Sequence, residues 1–166
     1  IVSFCAMLGP MATTILMPET ASAVKDLHTN VSTFNVAIGV YLITLGVAPI
    51  WWSTFSEKFG RRSIYIISLF LYLVFTIGCA TCQNVTSLAI FRILSGGSSA
   101  SVQSVGAGSI ADIYEPERRG AAIGYFYLGP LIGPMIAPII GGLIAKEKGV
   151  SWRLSQWVLV ALSGAC

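Results

Sequence analysis

Long apolar blocks alternate along this chain with short polar ones. Runs of spanning length occupy about 1–18, 33–52, 64–82, 87–111, 121–145 and 152 onward, and each predicts a membrane-crossing helix. The polar segments between them hold nearly all the charge: Glu19, Lys25, Asp26 and His28 in the first, and Glu57, Lys58, Arg61 and Arg62 in the second. The third holds none. The fourth carries Asp112, Glu115, Glu117, Arg118 and Arg119, and the fifth Lys146, Glu147 and Lys148, with Arg153 opening the last span. The polar 19–32 stretch has room for an amphipathic turn or two on Val24, Leu27 and Val31. A rival reading of the start takes residues 1–17 as the apolar region of a signal peptide with Ala21-Ser22-Ala23 as its cleavage site, leaving five spans.

Composition narrows the class. Of 166 residues 55% are apolar and 10% charged, against roughly a quarter charged in a soluble domain. Six spans of about 20 residues use about 120, so the expectation is an all-α membrane bundle with short loops. No polar stretch is long enough to bury a soluble domain of its own. The chain starts and stops inside apolar runs and reads as a fragment, one six-helix unit over 1–166 whose last helix is truncated.

The net charge of +3 is small and scattered, which argues against nucleic acid as a partner and leaves the lipid bilayer. Cys79 and Cys82 form one C-x-x-C without the second pair of a structural zinc site. Neither a metal nor a cofactor is expected. The single histidine, His28, sits in a loop, and no pair of acids or His/Cys cluster occupies a span, so an enzyme is not expected either.

Five basic residues (Lys58, Arg61, Arg62, Arg118, Arg119) fall on the side of the second and fourth loops and four (Lys25, Lys146, Lys148, Arg153) on the other. The positive-inside bias is therefore slight, and the paired arginines favour the former side as cytoplasmic. Two sequons, Asn30-Val31-Ser32 and Asn84-Val85-Thr86, fall in loops of the opposite side.

Three motifs stand out. The second loop, Ser53 to Arg62, ends in a glycine followed by two arginines, which suits either a sharp turn with a specific role or plain interfacial anchoring. The fourth span holds Arg92, the one charge well inside a predicted helix. Such a group faces the bundle interior or a water path unless it snorkels to the headgroups. Arg92, Gly96, Ser99, Gln103 and Gly106 share one helical stripe, favouring the interior. In the fifth span Gly129, Gly133, Ala137 and Gly141 recur every fourth residue, a groove for close backbone approach. Pro130, Pro134 and Pro138 repeat beside it, deleting backbone donors and predicting a bend, with freed carbonyls met by neighbours or water. A passive packing groove is the plainer alternative.

Together these motifs resemble the major facilitator superfamily, specifically the twelve-helix drug:proton antiporters of the fungal multidrug type, with the whole chain covering the N-terminal six-helix half. The superfamily signature between helices two and three is matched at Ser56, Lys58, Gly60, Arg61 and Arg62. It departs at Ser53 for glycine, Phe55 for leucine and Glu57 for aspartate. Arg92 to Gly97 is similar to the fourth-helix motif R-x-x-Q-G-x-G, with Ser95 for glutamine and Gly97 one position early. Gly129, Gly133, Pro138, Gly141 and Gly142 match the antiporter signature G-x-x-x-G-x-x-x-G-P-x-x-G-G, with Ala137 for the third glycine. Uniporters and symporters of the family generally lack it. The stretch from Gly108 to Gly120 is similar to the fourth loop of such proteins.

The resemblance implies export of hydrophobic or cationic drugs across the plasma membrane by proton antiport. Two halves would rock about a central site. In that scheme Arg92 takes part in proton coupling, Ser99 and Gln103 line the substrate cavity, and Glu57, Lys58, Gly60, Arg61 and Arg62 form a cytoplasmic gate through ion pairs, with Asp112 or Glu115 as partners. The implied partners are a small-molecule substrate, protons and a C-terminal six-helix half. Uptake of a sugar or other polar nutrient, and a non-transporting receptor or scaffold on the same fold, are the alternatives. An antiporter needs an acid that gains and loses a proton, yet every carboxylate lies near a predicted water boundary. Glu19, beside Pro18, comes nearest; the carrier is Glu19, Asp112 or a group in the other half.

Overall fold

The computed structural model describes residues 2–27, 29–146 and 152–166, so expectations placed on His28, Glu147 and Lys148 lie outside the described residues. Helices run in the order α1 (Val2–Thr14), α2 (Thr20–Asp26), α3 (Val31–Phe59), α4 (Arg61–Thr81), α5 (Val85–Ile113), α6 (Pro116–Lys146) and α7 (Arg153–Gly164). The fold is all-helical, as the apolar pattern predicts. By length and composition α3, α4 and α6 qualify to cross a membrane.

The helix ends differ from the apolar boundaries for identifiable reasons. The first helix stops at Thr14 rather than 18, because Pro18 has no amide hydrogen and disfavours helical geometry at the residue before it. Residues 15–19 continue as turns, and the amphipathic piece after them is α2, with Ala23 and Leu27 buried and Val31 exposed. The second predicted span, 33–52, is part of a helix reaching Phe59. Polarity alone does not end a helix, so Ser53 to Phe59 form its last turns and the expected ten-residue loop shrinks to Gly60, whose φ is 83°. That left-handed angle suits glycine. Helix α6 begins at Pro116, the position where proline's missing amide costs nothing, and runs unbroken through its three further prolines.

Helix α5 is the hub, packed against α3, α4, α1 and α6. Its position explains its composition: Ser95, Ser98, Ser99 and Ser101 are buried against protein rather than lipid. Small residues set its distances. A Cβ on Gly96 would lie 3.0 Å from the Tyr41 carbonyl oxygen, and one on Gly106 2.7 Å from the Phe126 ring.

The period-four glycines of α6 meet a matching period in α1. A Cβ on Gly129 would collide with the Ser3 carbonyl and one on Gly141 with the Ile15 carbonyl; on Gly133 it would lie 2.8 Å from the Met7 carbonyl oxygen. Ala137, fully buried, packs in the cluster that holds Met11 and Ile15. Ser3, Met7, Met11 and Ile15 thus pair in order with positions 129, 133, 137 and 141, so the two helices run parallel with their backbones in contact. Ser3 also repairs a proline defect. Pro130 removes the donor due to Phe126, and the Ser3 hydroxyl donates to that carbonyl at 2.9 Å while accepting from the Gly129 amide at 3.1 Å.

Gly133→Ala and Gly141→Ala should each force this seam apart at a cost of about 1–3 kcal/mol, the usual range for overpacking. Gly142→Ala, with nothing within 4 Å, should leave the melting temperature of the detergent-solubilised full-length protein unchanged. Equal melting of the Gly141 and Gly142 variants would show that the seam is not the cause.

Candidate functional site

Arg92 sits seven residues into α5, about 10 Å from its start at 1.5 Å per residue. It is 2% exposed. Because α1 stops at Thr14, its last carbonyls end beside Arg92 instead of at the membrane surface, and helix ends leave such carbonyls without intrahelical partners. The Arg92 Nη1 donates to the Ala12 carbonyl at 2.8 Å, placing a cation at the negative end of the α1 dipole. The guanidinium lies 5.5 Å from the centre of the Tyr41 ring, within cation–π range. Its Nε and Nη2 are buried without an acceptor.

The neighbours of Arg92 also bind the α1 backbone. The Tyr41 hydroxyl donates to the Gly9 carbonyl at 2.9 Å and pairs with the Ser99 hydroxyl at 3.2 Å. The Tyr72 hydroxyl donates to Leu8 at 3.4 Å. Ser99 is therefore buried between α1 and α3, whereas Gln103, one turn further along α5, is partly exposed. A separate cavity of about 830 Å³ opens on the other side of α5, among Trp51, Trp52, Phe55, Ile67, Phe75 and Leu94. Neither Ser99 nor Gln103 lines it. Trp52 Nε1 donates to the Gly97 carbonyl at its wall, 2.7 Å away.

At the end of the bundle marked by Gly60, Arg61 Nε bonds Asp112 Oδ2 at 2.6 Å and ties the start of α4 to the end of α5. Arg119 Nη2 donates to the Ala111 carbonyl at 2.7 Å, a second cation at the same helix end. Glu57, Lys58 and Arg62 are exposed, as is Glu115. Of the two acids named as partners for the gate, the structure brings Asp112 to it.

The opposite end holds residues that apolarity could not single out. Glu19, in the connection from α1 to α2, is 2% exposed. Its Oε1 accepts from the Ser155 hydroxyl at 2.8 Å. Burial pushes its carboxyl up to about 7, partly offset by the Ser155 bond. Arg153 Nη2 donates to the Cys82 carbonyl, the cap of α4, at 3.1 Å. Ser155 and Tyr41 lie in runs whose pattern says only "apolar helix", and no sequence signal distinguishes them.

The profile of the Major Facilitator Superfamily matches residues 1–166. The chain belongs to that family. Its relatives include MFS antiporter QDR3 of Candida albicans, 51% identical over 166 residues, covering 100% of this chain and 23% of that protein. Quinidine resistance protein 3 of Saccharomyces cerevisiae is 47% identical over 164 residues, covering 99% and 24%. Multidrug transporter DTR1 of Candida glabrata is 36% identical over 165 residues, covering 99% and 30%. This major facilitator chain thus spans between about a quarter and a third of the length of these relatives, and it is an integral, multi-pass membrane protein.

Within this major facilitator chain the Arg61–Asp112 pair is an exposed one, with the two side chains 29% and 59% accessible. Exposed pairs contribute little and are screened by salt. A double-mutant cycle on Arg61→Gln and Asp112→Asn in the full-length protein should give a coupling of about 0.2–1 kcal/mol in thermal stability, smaller at high salt. A larger, salt-independent coupling would contradict the exposed geometry.

Proposed function

We propose that the full-length protein exports hydrophobic or cationic small molecules across the plasma membrane by proton antiport, with this chain as its N-terminal six-helix bundle. The observation that carries the reading is the α1–α6 seam. Three of the residues that match the antiporter signature, Gly129, Gly133 and Gly141, are those whose lack of a side chain lets α6 lie against the backbone of α1. Relatives named as an antiporter, a quinidine resistance protein and a multidrug transporter support the same direction.

On this reading the residues take the following roles. Arg92 couples the end of α1 to α5, so a change at either is felt by the other. Gln103, partly exposed on α5, is proposed to meet the cavity that a second six-helix half would complete, with Ser99 behind it held against Tyr41. The Arg61–Asp112 pair, weak enough to break within a transport cycle, latches the cytoplasmic end, with Glu57, Lys58 and Arg62 free to engage that second half. The aromatic-lined cavity between α3, α4 and α5 is of small-molecule size, and its mainly apolar walls suit a hydrophobic guest better than a sugar.

Full-length protein in vesicles, energised with an imposed proton gradient and supplied with quinidine, tests this. Quinidine accumulation should collapse when a protonophore dissipates the gradient. Accumulation that is unchanged rules out antiport, and uptake of a labelled sugar in place of quinidine would favour the nutrient alternative.

A further inference from the structure

Among the described residues Glu19 is the one carboxylic acid that is buried, the others being exposed. Its two oxygens differ. Oε1 accepts from Ser155, while Oε2 is buried and has no partner. Ser155 lies on the first turn of α7, followed by Gln156, and Trp152 is the N-cap of that helix. Trp152 and Gln156 are each 1% exposed, and their Nε1 and Nε2 are buried donors without acceptors. The start of α7 that bonds Glu19 through Ser155 thus also carries two buried, unused donors. A neutral carboxyl tolerates this arrangement; a buried carboxylate with an oxygen unpaired is far more costly.

We propose that Glu19 is the proton-binding site of this bundle. Its carboxyl holds a proton on Oε2 in the present packing and releases it to water when a shift of α7 brings the Gln156 and Trp152 donors onto that oxygen. The proton is the ligand, and no other group is consumed. The assignment rests on the antiport reading and names its carrier. The charged and titratable neighbours are consistent with it. From α7 comes Arg153, its guanidinium over the Trp152 ring and bonded to the Cys82 carbonyl, and from the end of α4 comes Cys82. From α2, Lys25 and Asp26 are exposed. No ion pair to Glu19 is formed by the described residues.

Release by α7 gives the site a direction. Glu19 lies at the end of the bundle opposite the Arg61–Asp112 pair, the outer end in the orientation favoured by the paired arginines. A proton arriving from outside would be taken up where α7 closes over the α1–α2 connection, and its loss would favour the shifted packing.

The test uses the full-length protein in vesicles with quinidine. Glu19→Gln keeps an acceptor for Ser155 and mimics the protonated acid. It should lose gradient-driven accumulation while retaining quinidine exchange at zero gradient. Ser155→Ala removes the bond that favours the carboxylate, so Glu19 should bind its proton more tightly and the pH profile of gradient-driven transport should move to higher pH. Gradient-driven accumulation intact in Glu19→Gln, or an unmoved pH profile in Ser155→Ala, overturns the assignment while leaving antiport standing. Absence of any gradient dependence in the unmodified protein sinks antiport and this assignment with it. If Glu19→Gln loses exchange as well, the Ser155→Ala profile decides.

Discussion

The backbone of α1 is the element on which the packing of the bundle depends. In an apolar medium every carbonyl and amide needs a partner within the protein, and α1 both lacks some and offers others to its neighbours. Tyr72 from α4, Tyr41 from α3 and Arg92 from α5 donate to its Leu8, Gly9 and Ala12 carbonyls. On its other side the glycines of α6 lie against the carbonyls of Ser3, Met7 and Ile15. Four helices are thus set by one backbone. In the irregular 15–19 stretch Ile15, Leu16 and Glu19 are buried in protein, whereas Met17 and Pro18 are exposed.

The few charges of the chain acquire a common task from this constraint. Three arginines donate to carbonyls at or near the C-terminal ends of helices: Arg92 at α1, Arg153 at α4 and Arg119 at α5. A guanidinium suits the task because it remains charged when buried and offers several donors in a plane. The cation also meets the negative end of each helix dipole. Arginine embedded in the bundle is therefore explained first by carbonyl supply. Any role of Arg92 in coupling is built on a bond that the fold already requires.

Much of this was legible in the sequence, and the exceptions share a cause. The apolar runs locate the helices, but apolarity marks where lipid ends rather than where a helix ends. The extension of α3 to Phe59 and the start of α6 at Pro116 depended instead on Gly60 and on proline geometry. The period-four glycines announce a close contact on α6, yet nothing in them says that α1 supplies the other side, because that pairing is tertiary. Glu19 shows the same gap. Its place at the head of a polar segment marks it as lying near water, and only the first turn of α7, 136 residues away from it at Ser155, covers it.

The two ends of the bundle are consequently held by different chemistry. At one end the exposed Arg61–Asp112 pair costs little to break and little to remake, since water solvates both charges when they part. At the other, Glu19 and Ser155 are buried, so parting or ionising them changes the solvation of an acid within protein. On the proposal that Glu19 binds a proton, it is the second contact that a proton would bias. An alternating-access cycle needs one end to open as the other closes. With equal latches at both ends a proton would shift neither relative to the other, whereas on the antiport proposal a buried acid at one end and a water-exposed ion pair at the other would let proton binding select which end stays shut. Such selection requires only that the ligand distinguish the two packings in affinity, a difference that the proposed protonation of buried Glu19 would supply.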